Sequence, residues 1–133
     1  MTRQWTAWTS NELNKIGTAE ELQIASRRSD GALRNPVIIW VVRLGDDLYV
    51  RSVNGRTSAW FRGVQDRHEG RIQAGGINKD VTFVEEFAPD INNQIDAAYR
   101  TKYHRYAASS ISSIISPEAR SATIKLVPRS ASS

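Results

Sequence analysis

The chain has no cysteine, so disulfides, thiolate metal sites and cysteine nucleophiles are excluded. Its two histidines, His68 and His104, stand far apart and form neither an HxH nor an HxxxH pair. Without cysteine to complete a ligand set, no metal site is expected. The longest apolar run, Val37 to Val42, is far too short to span a bilayer. The opening segment MTRQWTAWTSNEL lacks the apolar stretch of a signal peptide. A cytoplasmic location and no membrane partner are therefore expected. No GxGxxG, GxxxxGK[ST] or GxSxG motif is present. The neighbouring carboxylates Glu85 and Glu86 fall on opposite faces of an alternating segment, so they do not make a converging catalytic pair.

What the sequence does have is arginine. Lysine and arginine total 18 against 14 aspartates and glutamates, a net charge of +4. Arginine outnumbers lysine 14 to 4; the plain reading is charge spread over a solvated surface, and the sharper one is affinity for phosphate or carboxylate, which the planar guanidinium grips bidentately. The longest basic run is only Arg27-Arg28, and acidic residues are interleaved throughout, which argues against a nucleic-acid partner. A length of 133 residues favours a single domain with its own core, residues 1–133, ordered over 8–129 and frayed at 1–7 and 130–133.

Hydrophobic periodicity gives the order of elements. Thr9 and Glu12 form a capping-box pattern opening a helix that ends at Gly17, and a second helical turn is expected at Thr18–Glu21. Leu22–Arg28 alternates as a strand, and Ser29-Asp30-Gly31 turns into a long strand over Arg34–Arg43. That strand is β-branched and apolar on both faces, as a central buried strand would be. Gly45-Asp46-Asp47 turns into Leu48–Val53, and a helix follows from Thr57 or Ser58 to Asp66. Strands are expected at Arg71–Ala74 and Asp80–Glu86. The longest helix starts at Pro89-Asp90. It carries a stripe of Ile91, Ile95, Ala98, Tyr99, Tyr103 and Tyr106, best explained as core packing. Residues 107–116 are serine-rich and read as a short helix or a lid. A helical turn at Pro117–Arg120 and a last strand at Thr123–Val127 complete the chain. The fold class is mainly β with flanking helices (α+β), with six antiparallel strands in a closed or half-closed barrel.

The candidate site follows from this order. Arg34, Arg51, Ser52, Asn54, Gly55, Arg56, Ser58 and Trp60 fall at a strand end, a glycine-containing loop and a helix start. Unpaired N–H groups at a helix start attract anions, and nearby arginines and hydroxyls add donors. Trp60, or Trp40 from the neighbouring strand, is suited to stack on a planar ring. An equally open reading has Arg51 paired with a carboxylate on the barrel wall and both tryptophans in the core.

Longer motifs are RxPVxIWVVRxGDxLYVRSxxG with WFR after it, AGGxxxDVTF, IDAAYRxKY and LVPR. In these the chain resembles the uncharacterised bacterial DUF2255 family. That family is placed with the FMN-binding split-barrel group, alongside pyridoxamine phosphate oxidase-like and deazaflavin-dependent nitroreductase proteins. The resemblance implies a six-stranded split β-barrel, a homodimer, and FMN or a deazaflavin as cofactor. It implies a phosphate grip by Arg34, Arg51, Ser52, Arg56 and Ser58, with the ring along Val37 to Ile39. The implied activity is an oxidoreductase acting on a small molecule. The alternative is a cofactor-free barrel for a small hydrophobic ligand, with Trp40, Tyr49, Trp60, Tyr99 and Tyr103 lining the cavity. A basic nucleic-acid or partner-binding module ranks last.

Overall fold

A computed structural model describes residues 7–129, so the expectation of frayed tails at 1–7 and 130–133 lies almost wholly outside the described residues. The sheet holds seven strands, all paired antiparallel. They are β1 Leu22–Ser26, β2 Val37–Ile39, β3 Val41–Leu44, β4 Asp47–Arg51, β5 Glu69–Ala74, β6 Ile77–Glu85 and β7 Thr123–Pro128. Their order is β2-β1-β5-β6-β7-β4-β3. The two outermost strands of this sheet are separated in sequence by Trp40 alone, so the sheet must curl until its edges nearly meet. The result is a nearly closed antiparallel barrel.

The expected single strand over Arg34–Arg43 is therefore two strands, which raises the count from six to seven. β2 pairs with β1, Val37 opposite Ile24, whereas β3 pairs with β4, Val41 opposite Val50. Trp40 belongs to neither ladder. Apolarity on both faces, read as central burial, here reflects a segment that serves two edges and two cores. Val41 faces the barrel interior with Leu22, Ile24, Leu48, Val50, Ile72, Phe83 and Leu126. Val42 faces outward into a second cluster with Tyr49, Ile95, Tyr99, Tyr103 and Ile114. Of the stripe expected on the long helix, α3 Pro89–Lys102, Ile95, Tyr99 and the capping Tyr103 are core and Ile91 and Ala98 pack against them, whereas Tyr106 lies beyond the helix end and is exposed.

The first helix, α1 Ser10–Thr18, has the full Thr9–Glu12 capping box and places Leu13 and Ile16 in the barrel core. The second helical turn expected at 18–21 does not form, because Ala19 is already extended and leads into β1. Helix α2 spans Ala59–Asp66 after a 3-10 turn at Gly55–Thr57. The serine-rich segment is a short helix, α4 Ala108–Ile114, followed by α5 Pro117–Arg120. Among the described residues no helix is long and apolar enough to cross a membrane.

One hairpin turn and one strand position show why glycine is needed. Gly75 and Gly76, both at positive φ, close the β5–β6 hairpin between Ala74 and Ile77. Gly70 has ordinary φ but no room. A Cβ there would lie 2.1 Å from the Ala25 carbonyl oxygen and 2.8 Å from the Phe83 ring. Replacing Gly70 by Ala forces β1 from β5 or displaces Phe83, and overpacking of this kind costs about 1–3 kcal/mol. Urea denaturation of Gly70→Ala is expected to show a loss in that range; an unchanged midpoint would contradict the close approach. The buried tyrosines give a second expectation. Burial pushes the Tyr49 phenol up to about 12, and burial raises Tyr99 and Tyr103 further. Unfolded phenols ionise near their ordinary value of about 10, so the unfolded chain binds fewer protons above that pH and stability falls. Thermal melts should therefore show stability flat below about pH 10 and declining above it, less steeply in Tyr49→Phe.

Candidate functional site

A cavity of about 470 Å³ opens where the two sheet edges approach each other. One wall is the crossing segment Val37, Ile38, Ile39 and Trp40. The opposite side is the end of β4 and the loop after it, Arg51 to Asn54, with Ser58 and Trp60 at the start of α2. Ser110, Ser113 and Ile114 of α4 form the remaining side. Of the residues selected from sequence, Val37, Ile39, Trp40, Arg51, Ser52, Asn54, Ser58 and Trp60 come together here.

Trp40 is the ring wall. It stacks on Tyr103 with centroids 3.9 Å apart and planes within 5°, and Tyr106 meets it edge-on at 4.9 Å. The backbone beside it is fixed by α3. The Tyr99 hydroxyl donates to the Trp40 carbonyl at 3.4 Å, and the Val41 N–H donates to the Tyr103 hydroxyl at 3.3 Å. Lys102 Nζ donates to the Val41 carbonyl at 2.6 Å. The place where the chain changes sheet edges is thereby pinned by three side chains from the last turn of α3 and its C-cap.

The other end of the cavity is polar but carries little free charge. Ser52 Oγ and Ser58 Oγ lie 2.7 Å apart, and Asn54 is exposed beside them. Ser58 precedes α2 without capping it through its side chain, so the first-turn N–H groups of that helix have no side-chain acceptor there. Such a corner of hydroxyls and helix-start amides suits an anion.

Arg51 is the main revision. Its side chain is fully buried, and all five guanidinium N–H donors are used inside the protein. Nε donates to Thr123 Oγ1 at 2.9 Å. One terminal nitrogen donates to Asp96 Oδ1 at 2.5 Å and to the Ile114 carbonyl at 3.2 Å. The other donates to the Asn92 carbonyl at 3.1 Å and to Asn92 Oδ1 at 2.8 Å. No donor is left to grip a phosphate. The carboxylate pairing weighed from the sequence as the other reading of Arg51 is the arrangement present. Asp96 also accepts from Arg120 at 2.6 Å, so two guanidinium groups share one carboxylate and, among the described residues, one positive charge of the trio has no carboxylate of its own.

Three further expected residues lie away from the cavity. Arg34 runs over Gly63, faces Asp66 at 3.7 Å, and has its Nε buried without a hydrogen-bond partner among the described residues. Arg56 points to the other side of the 3-10 turn, donating to Glu85 at 2.7 Å and to the Ser121 carbonyl, with its guanidinium over Phe61. Gly55 packs against Glu118, where a Cβ would meet the side chain at 2.6 Å. Tyr49, Tyr99 and Tyr103 are buried in the outer cluster rather than along the cavity, because β4 turns Tyr49 outward and α3 covers it. The sequence reading missed Val53, Ser110, Ser113 and Ile114, and took in Ile38 only within the stretch Val37 to Ile39. The serine-rich segment was noticed, but no local spacing places it opposite residues some fifty positions earlier.

A family model described as "Uncharacterized protein conserved in bacteria (DUF2255)" matches residues 12–126. No curated protein matches the sequence. Among solved structures, a putative pyridoxamine 5'-phosphate oxidase from Listeria innocua superposes with a TM-score of 0.64 at 15% identity, covering 89% of this chain and 90% of that one. An F420 reductase superposes at 0.57 with 12% identity, covering 92% and 94%. A FAD-binding protein from Mesorhizobium loti superposes at 0.56 with 17% identity, covering 94% and 93%. These likenesses show the split-barrel fold.

Removing the Arg51 side chain should be costly, since it strips a buried pair of one partner and leaves Asp96, Asn92 and Thr123 with unmet hydrogen bonds. Arg51→Met is expected to lose about 3–5 kcal/mol in chemical denaturation. Loss of cofactor affinity without loss of stability would instead place Arg51 in a ligand contact.

Proposed function

The chain belongs to the uncharacterised bacterial family DUF2255, and we propose that it is a flavin-type cofactor-binding split-barrel protein, an oxidoreductase for a small molecule. The observation that carries the reading is the cavity itself. A flat apolar wall from Val37 to Trp40 faces a corner of Ser52, Asn54 and Ser58 at the start of α2. A planar ring with a phosphate-bearing tail has that division of chemistry. FMN or a deazaflavin supplies hydride or electron transfer when bound, which fits a site without a side-chain acid–base pair. The protein's own residues bind and orient. Trp40, already stacked on Tyr103, presents its remaining surface to the cavity. Ser52 and Ser58 supply hydroxyl donors, α2 supplies backbone donors, and the unbalanced charge of Arg51, Asp96 and Arg120 favours an anion without touching it. The same proposal includes a homodimer, because Ile38 and Val53 lie on the cavity lining at 58% and 45% exposure, where a second copy would cover them.

A second reading has an observation of its own. Arg34 and Arg56 lie outside the cavity, and Arg51 is saturated. A cavity without a free guanidinium suits an uncharged hydrophobic ligand in a cofactor-free barrel.

Titration with FMN and with a deazaflavin separates the two. Under the first reading, the purified protein shifts the visible spectrum of at least one of them saturably. Ser58→Val then weakens binding by about 1.5–3 kcal/mol, the value of a hydrogen bond to a charged group. No spectral change with either compound at micromolar protein contradicts it. Binding that is indifferent to the phosphate, with riboflavin as tight as FMN, favours the second.

A further inference from the structure

The cavity wall at Trp40 continues outward as a set of aromatic rings. Trp40 lines the cavity and stacks on Tyr103, with centroids 3.9 Å apart. Tyr106 meets Trp40 edge-on at 4.9 Å and Tyr103 at 5.6 Å. Tyr106 lies past the end of α3 and is 39% exposed, so the set runs from the cavity to solvent. We propose that Trp40 and Tyr106 form a one-electron relay that carries an oxidising equivalent from the cavity to the surface, where small soluble reductants of the ascorbate class discharge it. The oxidant in the cavity rests on the flavin-type reading above; the relay rests on the chain's own rings.

Among the described tryptophans, Trp40 is the one whose ring meets phenols. Trp8 is buried in the barrel and donates to the Leu126 carbonyl at 3.0 Å. The ring beside Trp60 is Phe61 at 6.0 Å, which is harder to oxidise than a phenol. Packing accounts for Tyr99 and Tyr103, which fill the outer cluster. Tyr106 is not part of that cluster, yet its ring is held against the indole.

Charge decides where the oxidising equivalent rests. An oxidised indole or phenol is a cation until a proton leaves, so a neighbouring cation opposes it and a proton acceptor favours it. The Tyr99 ring faces the Arg51 guanidinium at 5.6 Å, and its hydroxyl donates to the Trp40 carbonyl. The Tyr103 ring faces the Lys102 nitrogen at 5.1 Å, and its hydroxyl donates to the Glu20 carbonyl at 2.7 Å. Both residues are enclosed, and a backbone carbonyl does not take up a proton. Tyr106 is open to water and lies beside carboxylates. Reduced hydration, then Glu20 and Glu21, raise its phenol above the ordinary value, against a smaller effect of Arg105, which is itself paired with Glu20 at 3.4 Å. The equivalent therefore ends at Tyr106.

An oxidant in the cavity takes one electron from the Trp40 indole, leaving an indolyl radical cation. Tyr106 returns one electron to the indole and releases its phenolic proton to water. A neutral phenoxyl radical remains at the surface. A reductant of the ascorbate class gives it a hydrogen atom, one electron with one proton, and restores the phenol. The net change is one electron moved from the soluble reductant to the cavity and one proton released.

Pulse radiolysis of the intact protein with azide radicals, which oxidise indoles in preference to phenols, tests the relay. It needs no cofactor, so its failure is distinct from a failure to bind FMN. The indolyl absorption should convert to phenoxyl absorption in a first-order step whose rate is the same at every protein concentration. Tyr106→Phe keeps the ring, removes only the hydroxyl of a surface residue, and should abolish that step. Trp40→Phe should abolish it as well. Tyr49, which makes no ring pair with Trp40 among the described residues, is the control, and Tyr49→Phe should keep the step. No conversion in the unaltered protein, a phenoxyl yield unchanged in Tyr106→Phe or in Trp40→Phe, or a rate that scales with protein concentration would overturn the relay.

Discussion

The buried guanidinium of Arg51 is the constraint around which this side of the molecule is arranged. It is fully enclosed, and its donors reach β7 through Thr123, α3 through Asn92 and Asp96, and α4 through the Ile114 carbonyl. A charge so far from water is tolerable only when its partners are in place. Asn92 is held in turn by donating to the Glu86 and Ala88 carbonyls, and Asp96 by Arg120 from α5. One side chain at the end of β4 therefore fixes where two helices and the last strand sit. Because α4 is one side of the cavity, the cavity inherits its shape from this network.

The second organising feature is the crossing at Trp40. An open sheet of seven strands has two free edges. Here a single residue links them, and α3 satisfies the backbone groups exposed by the break through Tyr99, Lys102 and Tyr103. The same residues that complete the hydrogen bonding also stack Trp40 in place. Closure of the barrel, coverage of its outer face and construction of a flat aromatic wall are one piece of packing. The two arrangements share α3, which ties the polar network at Asn92 and Asp96 to the aromatic one at Tyr99 and Tyr103.

Much of this was legible in the sequence, where local chemistry decided the outcome. The capping box at Thr9 and Glu12, the double-glycine turn at Gly75-Gly76 and the spacing of Ile95, Tyr99 and Tyr103 each report a short-range rule, and each element formed as expected. The cavity neighbourhood from Val37 to Trp60 was also found, since strand, loop and helix start are adjacent in sequence. What was hidden depends on partners far along the chain. Arg51 looks the same beside a ligand as beside Asp96, which lies 45 positions later. Arg56 likewise finds Glu85 across the sheet. The break at Trp40 is invisible to periodicity, because residues on either side keep alternating while their pairing partners change. α4 reaches the cavity only through long-range packing.

The central claim is that the cavity binds its ligand through Trp40, Ser52, Ser58 and the start of α2, while the arginines serve the framework. Amide and indole NMR signals followed during addition of FMN test this most directly. The account predicts saturable shifts at Ser52, Ser58, Ala59 and the Trp40 indole, with the guanidinium signals of Arg34 and Arg56 unmoved. Saturable shifts centred on Arg34 or Arg56, with the Trp40 indole silent, would contradict it.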